Sequence, residues 1–132
     1  MKNYLVKADK VTSSSDKKYA LFCGRWQPLH DGHKFIIQRM LVEGENVLIA
    51  IRDVKPDEKN PFTSEQVLEN IQAYYADLIQ EERVKVMIIP DISSVNFGRG
   101  VGYDIVEHQV PAEIADISAT KIREQMRKEG KL

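Results

Sequence analysis

The segment 19–51, YALFCGRWQPLHDGHKFIIQRMLVEGENVLIAI, decides the fold. It begins with the apolar run 19–24 and ends with the apolar run 46–51, and short runs of this kind are typical of buried strands. Between them, residues 33–42 carry apolar side chains three and four positions apart, which predicts an amphipathic helix. Gly44 follows at the point where such a helix would end. Strand, helix and strand in this order indicate a right-handed crossover in a parallel sheet.

The same alternation of elements continues toward the C-terminus. Residues 83–90 (RVKVMIIP) predict a third buried strand, and residues 63–80 predict the helix before it, because TSEQ at 63–66 has the form of a capping box. Apolar and polar residues alternate at 101–105, which predicts a half-buried strand reaching Pro111. A last helix is predicted at 118–129. The sequence therefore predicts an α/β domain with a parallel sheet.

Length and composition restrict the class of protein. The chain has 132 residues, of which 42% are hydrophobic and 30% charged, with a formal net charge of -1. A chain of this length suits one domain with its own core. Without a basic excess it does not resemble a nucleic-acid-binding protein. No apolar run approaches the roughly 20 residues that cross a bilayer, so no membrane partner is expected.

The N-terminal residues and the single cysteine indicate the cellular compartment of the protein. Residues 1–18 are polar, lysine-bearing and serine-rich, so we interpret them as an N-terminal arm ahead of a domain at 19–132. This arm has no apolar stretch ahead of a small-residue cleavage site, as a secretory signal would. The single cysteine, Cys23, excludes an intrachain disulfide framework and fits a reducing compartment. We therefore expect a cytoplasmic protein.

The turn after the first predicted strand carries the strongest chemical signal. There His30-Asp31-Gly32-His33 places two histidines three residues apart across a glycine. In a parallel α/β sheet, ligands bind beyond the carboxyl ends of strands and at helix N-termini, where free N–H groups attract anions. Gly32 has no Cβ, so a ligand is expected to approach the backbone closely there. Two imidazole donors beside one anion indicate a phosphate-binding cluster.

The last predicted helix begins with cations. In Ile117-Ser118-Ala119-Thr120-Lys121-Ile122-Arg123, two cations precede the first acid, Glu124. Cations in a first turn oppose the helix dipole by about 0.3–1 kcal/mol each. The first helix begins similarly, with His33 and Lys34. Two helices of this kind are expected if a polyanion lies between them.

Together, these two segments resemble a known superfamily. His30-Asp31-Gly32-His33 matches the HxGH signature, and residues 117–123 resemble the ISSTxxR signature, of the HxGH nucleotidylyltransferases. That superfamily includes nicotinamide-mononucleotide and phosphopantetheine adenylyltransferases and glycerol-3-phosphate cytidylyltransferase. The resemblance covers nearly the whole chain after the arm. It implies a Rossmann-like single domain with helices on both faces of the sheet, and an enzyme that joins a nucleoside triphosphate to a phosphorylated small molecule and releases pyrophosphate.

The resemblance also implies roles for particular residues. His30 and His33 would bind the triphosphate and stabilise charge at the α-phosphate, while Arg123, with Ser118 and Thr120, would hold the β- and γ-phosphates. Mg²⁺ is implied as the ion that bridges triphosphate oxygens, and no metal site made by the protein alone is predicted. A homo-oligomer is an open expectation, because members of the family commonly form dimers or rings. Further candidates for nucleotide contact are Gly24, Arg25, Trp26, Gln27, Gly32, Ala119 and Lys121, and candidates for acceptor contact are Arg52 and Arg99.

The choice of nucleotide rests on two more resemblances. GRWQP at 24–28 and NPFT at 60–63 are similar to segments of archaeal-type nicotinamide-mononucleotide adenylyltransferases, which favours ATP. The short chain and its segment 117–125 instead resemble glycerol-3-phosphate cytidylyltransferase, which uses CTP. Adenylyl transfer is our first hypothesis, and cytidylyl transfer to a glycerol-3-phosphate-like acceptor is the alternative.

Other interpretations stay open. The two histidines can make local hydrogen bonds only, or belong to a zinc site with His108 and Cys23 as the remaining candidates. The protein can instead be a nucleotide sensor that binds without transfer. A metal-dependent hydrolase would need carboxylates near the histidines, and Asp31 is the adjacent one.

Overall fold

The computed structural model describes residues 17–98, 102, 104–115 and 119–132. In these residues the chain alternates between strands and helices as far as the third strand, after which short helices follow. The elements are β1 (Tyr19–Gly24), α1 (Asp31–Val42), β2 (Asn46–Asp53), α2 (Ser64–Tyr74), α3 (Ala76–Gln80), β3 (Val84–Pro90), α4 (Ala112–Ala115) and α5 (Ala119–Lys128).

The three strands form a parallel sheet in the order β1-β2-β3. Phe22 pairs with Ile49, and Ile49 pairs with Val86, so one row of apolar side chains crosses all three strands. Because the strands are parallel, their carboxyl ends lie at one edge of the sheet, and the loops after β1 and β2 leave from that edge. The predicted parallel α/β architecture is confirmed.

The core lies between one face of the sheet and two helices. Ile37 of α1 and Ile71 of α2 are both fully buried, and they join the alternating residues Val47, Ile49 and Ile51 of β2 in one apolar cluster. Residues two apart in a strand share a face, so α1 and α2 pack on the same side of the sheet.

The opposite face of the sheet is less covered. Leu21 of β1 points away from the row formed by Phe22 and is 58% exposed. Helical cover of this second face stays a prediction.

The helix predicted at 63–80 is interrupted. It consists of α2 and α3, separated at Tyr75, whose backbone leaves the helical conformation at φ -104° and ψ 23°. The predicted apolar face is nevertheless present, because Val67, Ile71 and Tyr75 are buried and Leu78 packs against the core. Burial of Tyr75 at the junction lets both short helices contact the sheet.

The strand predicted toward Pro111 is wrong for the residues that the structure describes. Residues 104–111 have no regular secondary structure, and Ile105 is 76% exposed. Among the described residues, the segment 104–111 pairs with no strand, and alternation alone does not make a strand without backbone pairing. Val101 and Tyr103, the other members of the alternation, lie outside the described residues, as does the arm up to residue 16. In the described residues, no helix has the length and apolar character needed to cross a bilayer.

Candidate active site

The two histidines cap α1. The helix begins at Asp31, two residues before the predicted start, and His30 is its N-cap. The His30 Nδ1 accepts a hydrogen bond of 3.0 Å from the backbone N–H of Gly32. In return, the His33 Nδ1 accepts one of 3.2 Å from the backbone N–H of His30. This is the reciprocal arrangement of a capping box, made by imidazoles in place of the usual hydroxyl and carboxylate.

These bonds fix the tautomer of both rings. A neutral imidazole that accepts a hydrogen bond at Nδ1 carries its proton at Nε2. Burial, with a smaller contribution from the adjacent His30, lowers the pKa of His33 to about 3. Burial also lowers the pKa of His30, although the carboxylate of Asp31 opposes the shift. Both histidines are therefore neutral near pH 7, and each retains one Nε2–H as a donor.

Gly32 has a structural role beside the predicted ligand contact, which stays a prediction. A Cβ at this position would lie 2.8 Å from Cε1 and 3.0 Å from Nδ1 of His30. The glycine therefore makes room for the His30 ring to fold back over the helix start. That ring stacks on His33 with centroids 3.8 Å apart and an interplanar angle of 20°.

Trp26 forms the wall behind His33. It is 2% exposed, its indole Nε1 donates to the Ala50 carbonyl at 3.1 Å, and its ring centroid lies 4.4 Å from that of His33. Its φ of 55° is in the left-handed region, where a bulky residue is strained and is held by its packing. Gly24 accommodates the indole, because a Cβ there would lie 3.2 Å from it. Trp26 thus orients His33, and its predicted nucleotide contact stays a prediction.

The two sequence segments meet at Arg123. This arginine of α5 is 8% exposed, and its Nη1 donates to the carbonyl of Gln27 at 2.6 Å across 96 residues of sequence. Its Nη2 donates to the Thr120 hydroxyl at 3.4 Å. One turn further along α5, Arg127 donates to the carbonyl of Glu58 in the β2–α2 loop. Two arginines thus hold α5 against the loops that follow β1 and β2.

A cavity of about 230 Å³ lies where these segments meet. It brings together most of the residues predicted from both segments, with two residues of the β2–α2 loop. His30 is not part of its lining and contacts it through the stacked His33. The lining residues are Arg25, Trp26, Gln27, His33, Lys59, Asn60, Ala119, Thr120 and Arg123.

Lys59 and Asn60 were not among the predicted contact residues, although Asn60 begins the NPFT segment at 60–63. Asp57 fixes their loop, because its Oδ1 accepts from the backbone N–H groups of Lys59 at 2.9 Å and Asn60 at 2.7 Å. These bonds, the one from Asn60 first, lower the pKa of Asp57. The Asn60 amide donates to the same carboxylate at 3.1 Å, and its buried Oδ1 has no partner in the described part of the chain. Their place after a parallel strand was the available signal.

Other predicted site residues lie elsewhere. Arg52 is not among the residues that line the cavity, and its guanidinium pairs with Asp91, with Nη2 2.7 Å and Nε 2.8 Å from Oδ1. Lys121 is exposed on α5 and does not line the cavity either. Ser118 and Arg99 lie outside the described residues, so their predicted roles stay predictions.

The histidine pair does not lie in a cluster of metal ligands. Within the described ranges, no three His, Cys, Asp or Glu side chains lie close enough together to hold a metal ion. None of the residues that line the cavity carries a carboxylate, and three of them, Arg25, Lys59 and Arg123, are cations. A cavity with this lining attracts an anion.

Comparisons with known proteins identify the family of the chain. A family model described as cytidylyltransferase-like matches residues 21–97, which is more than half of the chain and includes both histidines. A nicotinamide-nucleotide adenylyltransferase of Thermococcus kodakarensis is 33% identical over 79 residues, covering 58% of this chain and 42% of that protein. No solved structure gives a significant match.

Two further relatives have similar names. A nicotinamide/nicotinic acid mononucleotide adenylyltransferase of Acinetobacter baylyi is 31% identical over 80 residues, covering 59% of this chain and 41% of that protein. A nicotinamide-nucleotide adenylyltransferase of Methanocorpusculum labreanum is 41% identical over 51 residues, covering 36% of this chain and 30% of that protein. The chain thus matches about two-fifths or less of the length of these relatives. The predicted resemblance to the HxGH nucleotidylyltransferases is confirmed, and the chain belongs to the cytidylyltransferase-like family.

Proposed function

We propose that the protein is a nucleotidyltransferase that moves AMP from ATP to a phosphorylated small-molecule acceptor and releases pyrophosphate. The bond of 2.6 Å between Arg123 and the carbonyl of Gln27 carries this proposal, because it joins both predicted segments around one cationic cavity. The names of the similar proteins favour nicotinamide mononucleotide as the acceptor.

The chemistry needs no catalytic base. An oxygen of the acceptor phosphate, already anionic at neutral pH, attacks the α-phosphorus of the triphosphate. The new P–O bond forms while the bond from the α-phosphorus to the bridging oxygen breaks, and that oxygen leaves with pyrophosphate. No proton has to move, so catalysis consists of positioning and charge stabilisation.

The residues divide this task between them. The neutral imidazoles of His30 and His33 supply N–H donors for the charge that develops on the α-phosphate oxygens. Arg123, Lys59 and Arg25 neutralise the β- and γ-phosphates that leave. Ser118 and Thr120 add hydroxyl donors in this proposal, and Ala119 contributes a backbone position at the start of α5.

The cavity fits a metal ion that arrives with the nucleotide. Protein sites for Mg²⁺ usually contain carboxylates, and the residues that line this cavity have only the Asn60 amide oxygen and other neutral oxygens to offer. Triphosphate oxygens would therefore be the principal ligands of Mg²⁺, and Asn60 Oδ1, which has no partner among the described residues, would be available as a protein ligand. When bound, the ion would neutralise part of the triphosphate charge.

The remaining features of the proposal concern the acceptor and the setting. Arg52 and Arg99 are the candidates to contact the acceptor phosphate; Arg52 would do so with the N–H groups that Asp91 does not use. We place the protein in the cytoplasm, in agreement with its single cysteine, Cys23. We also propose that the protein forms a homo-oligomer, because members of the family commonly do.

The alternative is cytidylyl transfer from CTP to a glycerol-3-phosphate-like acceptor. It is favoured by the description of the matching family model. A nucleotide sensor that binds without transfer would use the same cavity. Only a measurement of product therefore distinguishes a sensor from a nucleotidyltransferase.

Pyrophosphate release tests the proposal. The protein is mixed with Mg²⁺, one of the four nucleoside triphosphates and a panel of phosphorylated acceptors. We expect release with ATP and a mononucleotide acceptor, and a fall in turnover of roughly 10²–10³-fold in His33→Ala, the scale for losing one preorganised donor. His108→Ala is the matched control, because His108 does not line the cavity.

The outcomes separate the hypotheses. Release with CTP alone would establish the alternative. Tight nucleotide binding without pyrophosphate from any acceptor would indicate the sensor. Full turnover in His33→Ala would contradict the role given to the histidines.

A further inference from the structure

Gln27 lines the cavity, and both polar ends of its side chain bond to the protein itself. It is 4% exposed and lies in the loop between β1 and α1. Its side-chain Nε2 donates to the carbonyl of Phe62 at 2.9 Å, and its Oε1 accepts from the backbone N–H of the same residue at 3.0 Å. Both polar ends of the amide therefore pair with one peptide position of the β2–α2 loop, 35 residues away.

The two loops joined in this way carry different parts of the cavity. The β1–α1 loop carries Arg25 and leads to His33, whereas Lys59 and Asn60 lie just before Phe62 in the β2–α2 loop. Pairing Gln27 with Phe62 therefore fixes the distance between the imidazole side of the cavity and the Lys59 side.

Gln27 also contacts the third segment of the site. Its backbone carbonyl accepts the bond of 2.6 Å from Arg123 of α5. Gln27 thus connects the three segments that supply the lining. It belongs to the β1–α1 loop, its side chain bonds to the β2–α2 loop, and its backbone carbonyl bonds to α5.

The chemistry of the side chain suits this function. A carboxamide presents one acceptor and a donor in a fixed plane, which matches the N–H and C=O of a peptide group. It does so without charge, so it leaves the cationic potential of Arg25, Lys59 and Arg123 unchanged. A carboxylate of the same shape would put an oxygen against the Phe62 carbonyl and would add a negative charge beside the phosphates.

We infer that Gln27 is a positioning residue that holds the β2–α2 loop in register with the histidines and Arg123, and that it is not a nucleotide ligand. This inference revises the contact predicted from the sequence, and its catalytic consequence rests on the proposed function. The loop positions of Lys59 and Asn60, and through them the alignment of the triphosphate, depend on the two bonds to Phe62.

The test compares two substitutions at this position with a matched control. Gln27→Met removes both bonds and keeps a similar length, whereas Gln27→Glu keeps the acceptor for the Phe62 N–H and loses the donor. Gln66→Glu is the control, because Gln66 Oε1 accepts from the Thr63 N–H at 2.8 Å and a carboxylate can do the same. We measure amide exchange at Phe62, the dissociation constant for ATP by calorimetry, and kcat.

The expected results distinguish positioning from binding. In Gln27→Met, the Phe62 amide should exchange at least about tenfold faster. There kcat should fall by about 10- to 100-fold, the scale of a misplaced catalytic group, while the dissociation constant for ATP changes by less than about threefold. In Gln27→Glu, kcat should fall similarly while the Phe62 amide stays protected. Gln66→Glu should behave as the wild type.

Three results would overturn the inference. One is unchanged exchange at Phe62 in Gln27→Met. Another is a weakened dissociation constant with an unchanged kcat, which would make Gln27 a ligand. The third is a lower melting temperature with wild-type kcat and KM in the folded protein, which would make the pairing merely structural. If Gln27→Met does not fold, Gln27→Asn, an uncharged amide that is one methylene shorter, decides by the same three measurements. If the wild type releases no pyrophosphate, the proposed function fails, and exchange and calorimetry still decide whether Gln27 positions the loop.

Discussion

Both histidines use Nδ1 to cap the helix, and of the two only His33 lines the cavity. Nδ1 of His30 and Nδ1 of His33 satisfy N–H groups at the start of α1, which would otherwise lack partners. The Nε2–H groups are left for a ligand. A serine and a glutamate would cap the helix equally well, but neither would leave an N–H donor at that place. The spacing of two histidines across a glycine is therefore explained by geometry within the helix start, whether or not a ligand is bound.

The lowered pKa of His33 makes stability depend on pH. In the unfolded chain this histidine binds a proton below about pH 6.5, whereas in the folded protein its pKa is about 3. The unfolded state therefore binds more protons between these values, and stability is expected to fall as the pH is lowered through that range. We expect the urea midpoint to drop more between pH 7 and pH 5 in the wild type than in His33→Gln.

The glutamine variant is a suitable comparison. Glutamine commonly occupies the third helical position (N3) of a capping box. His33→Gln therefore retains an acceptor for the His30 N–H while removing the titrating group. Equal changes in the midpoint for the two proteins would contradict the burial of a neutral His33.

The N-terminal caps of α1 and α2 are made by different side chains. At α2, the hydroxyl of Thr63 accepts from the backbone N–H of Gln66 at 3.1 Å, and Oε1 of Gln66 accepts from the backbone N–H of Thr63 at 2.8 Å. The sequence was sufficient to predict this start, because the signature is ordinary. The sequence predicts the start of α1 two residues late, because imidazoles are unusual caps and Asp31 and Gly32 are typical of loops.

Loss of the α2 cap should cost stability and little else. We expect Thr63→Ala to lower the free energy of unfolding by about 1 kcal/mol, as measured by chemical denaturation. Ser94→Ala, which removes an exposed hydroxyl from a loop, is the control and should change it by less than about 0.5 kcal/mol. A loss in Thr63→Ala no larger than in the control would show that the capping box contributes nothing to the fold.

Helices and strands could be predicted where their own sequence shows which side chains are buried. They could not be predicted where the structure depends on how a segment packs against another element. The apolar runs of β1, β2 and β3 and the face of Val67 and Ile71 follow from local period. The break at Tyr75 depends on how two short helices meet the sheet. The alternation ending at Ile105 requires a neighbouring strand, which cannot be recognised from that segment alone.

The whole molecule brings distant residues to one cavity, and part of that could be predicted. Cations at two helix starts indicated a shared anion between the two segments. Lys59 and Asn60 were missed, because their place in the cavity is determined by the Asp57 turn and by the pairing of Gln27 with Phe62, which no local pattern shows.

Nucleotide preference should be visible in the stability of the whole domain. A ligand at about 100 times its dissociation constant stabilises the folded state by about 2.7 kcal/mol. We therefore expect ATP with Mg²⁺ to raise the melting temperature more than CTP at the same concentration. Inorganic sulfate serves as the control for anion binding alone. A larger shift with CTP would reverse the choice of substrate.

The bond between Arg123 and the Gln27 carbonyl closes a very long stretch of chain. Bringing such distant positions together carries a large entropic cost, so this contact is expected to form late, after the local helices and the sheet. During synthesis, the imidazoles would emerge from the ribosome well before the guanidinium. A growing chain would then lack the proposed phosphate site until α5 had been made.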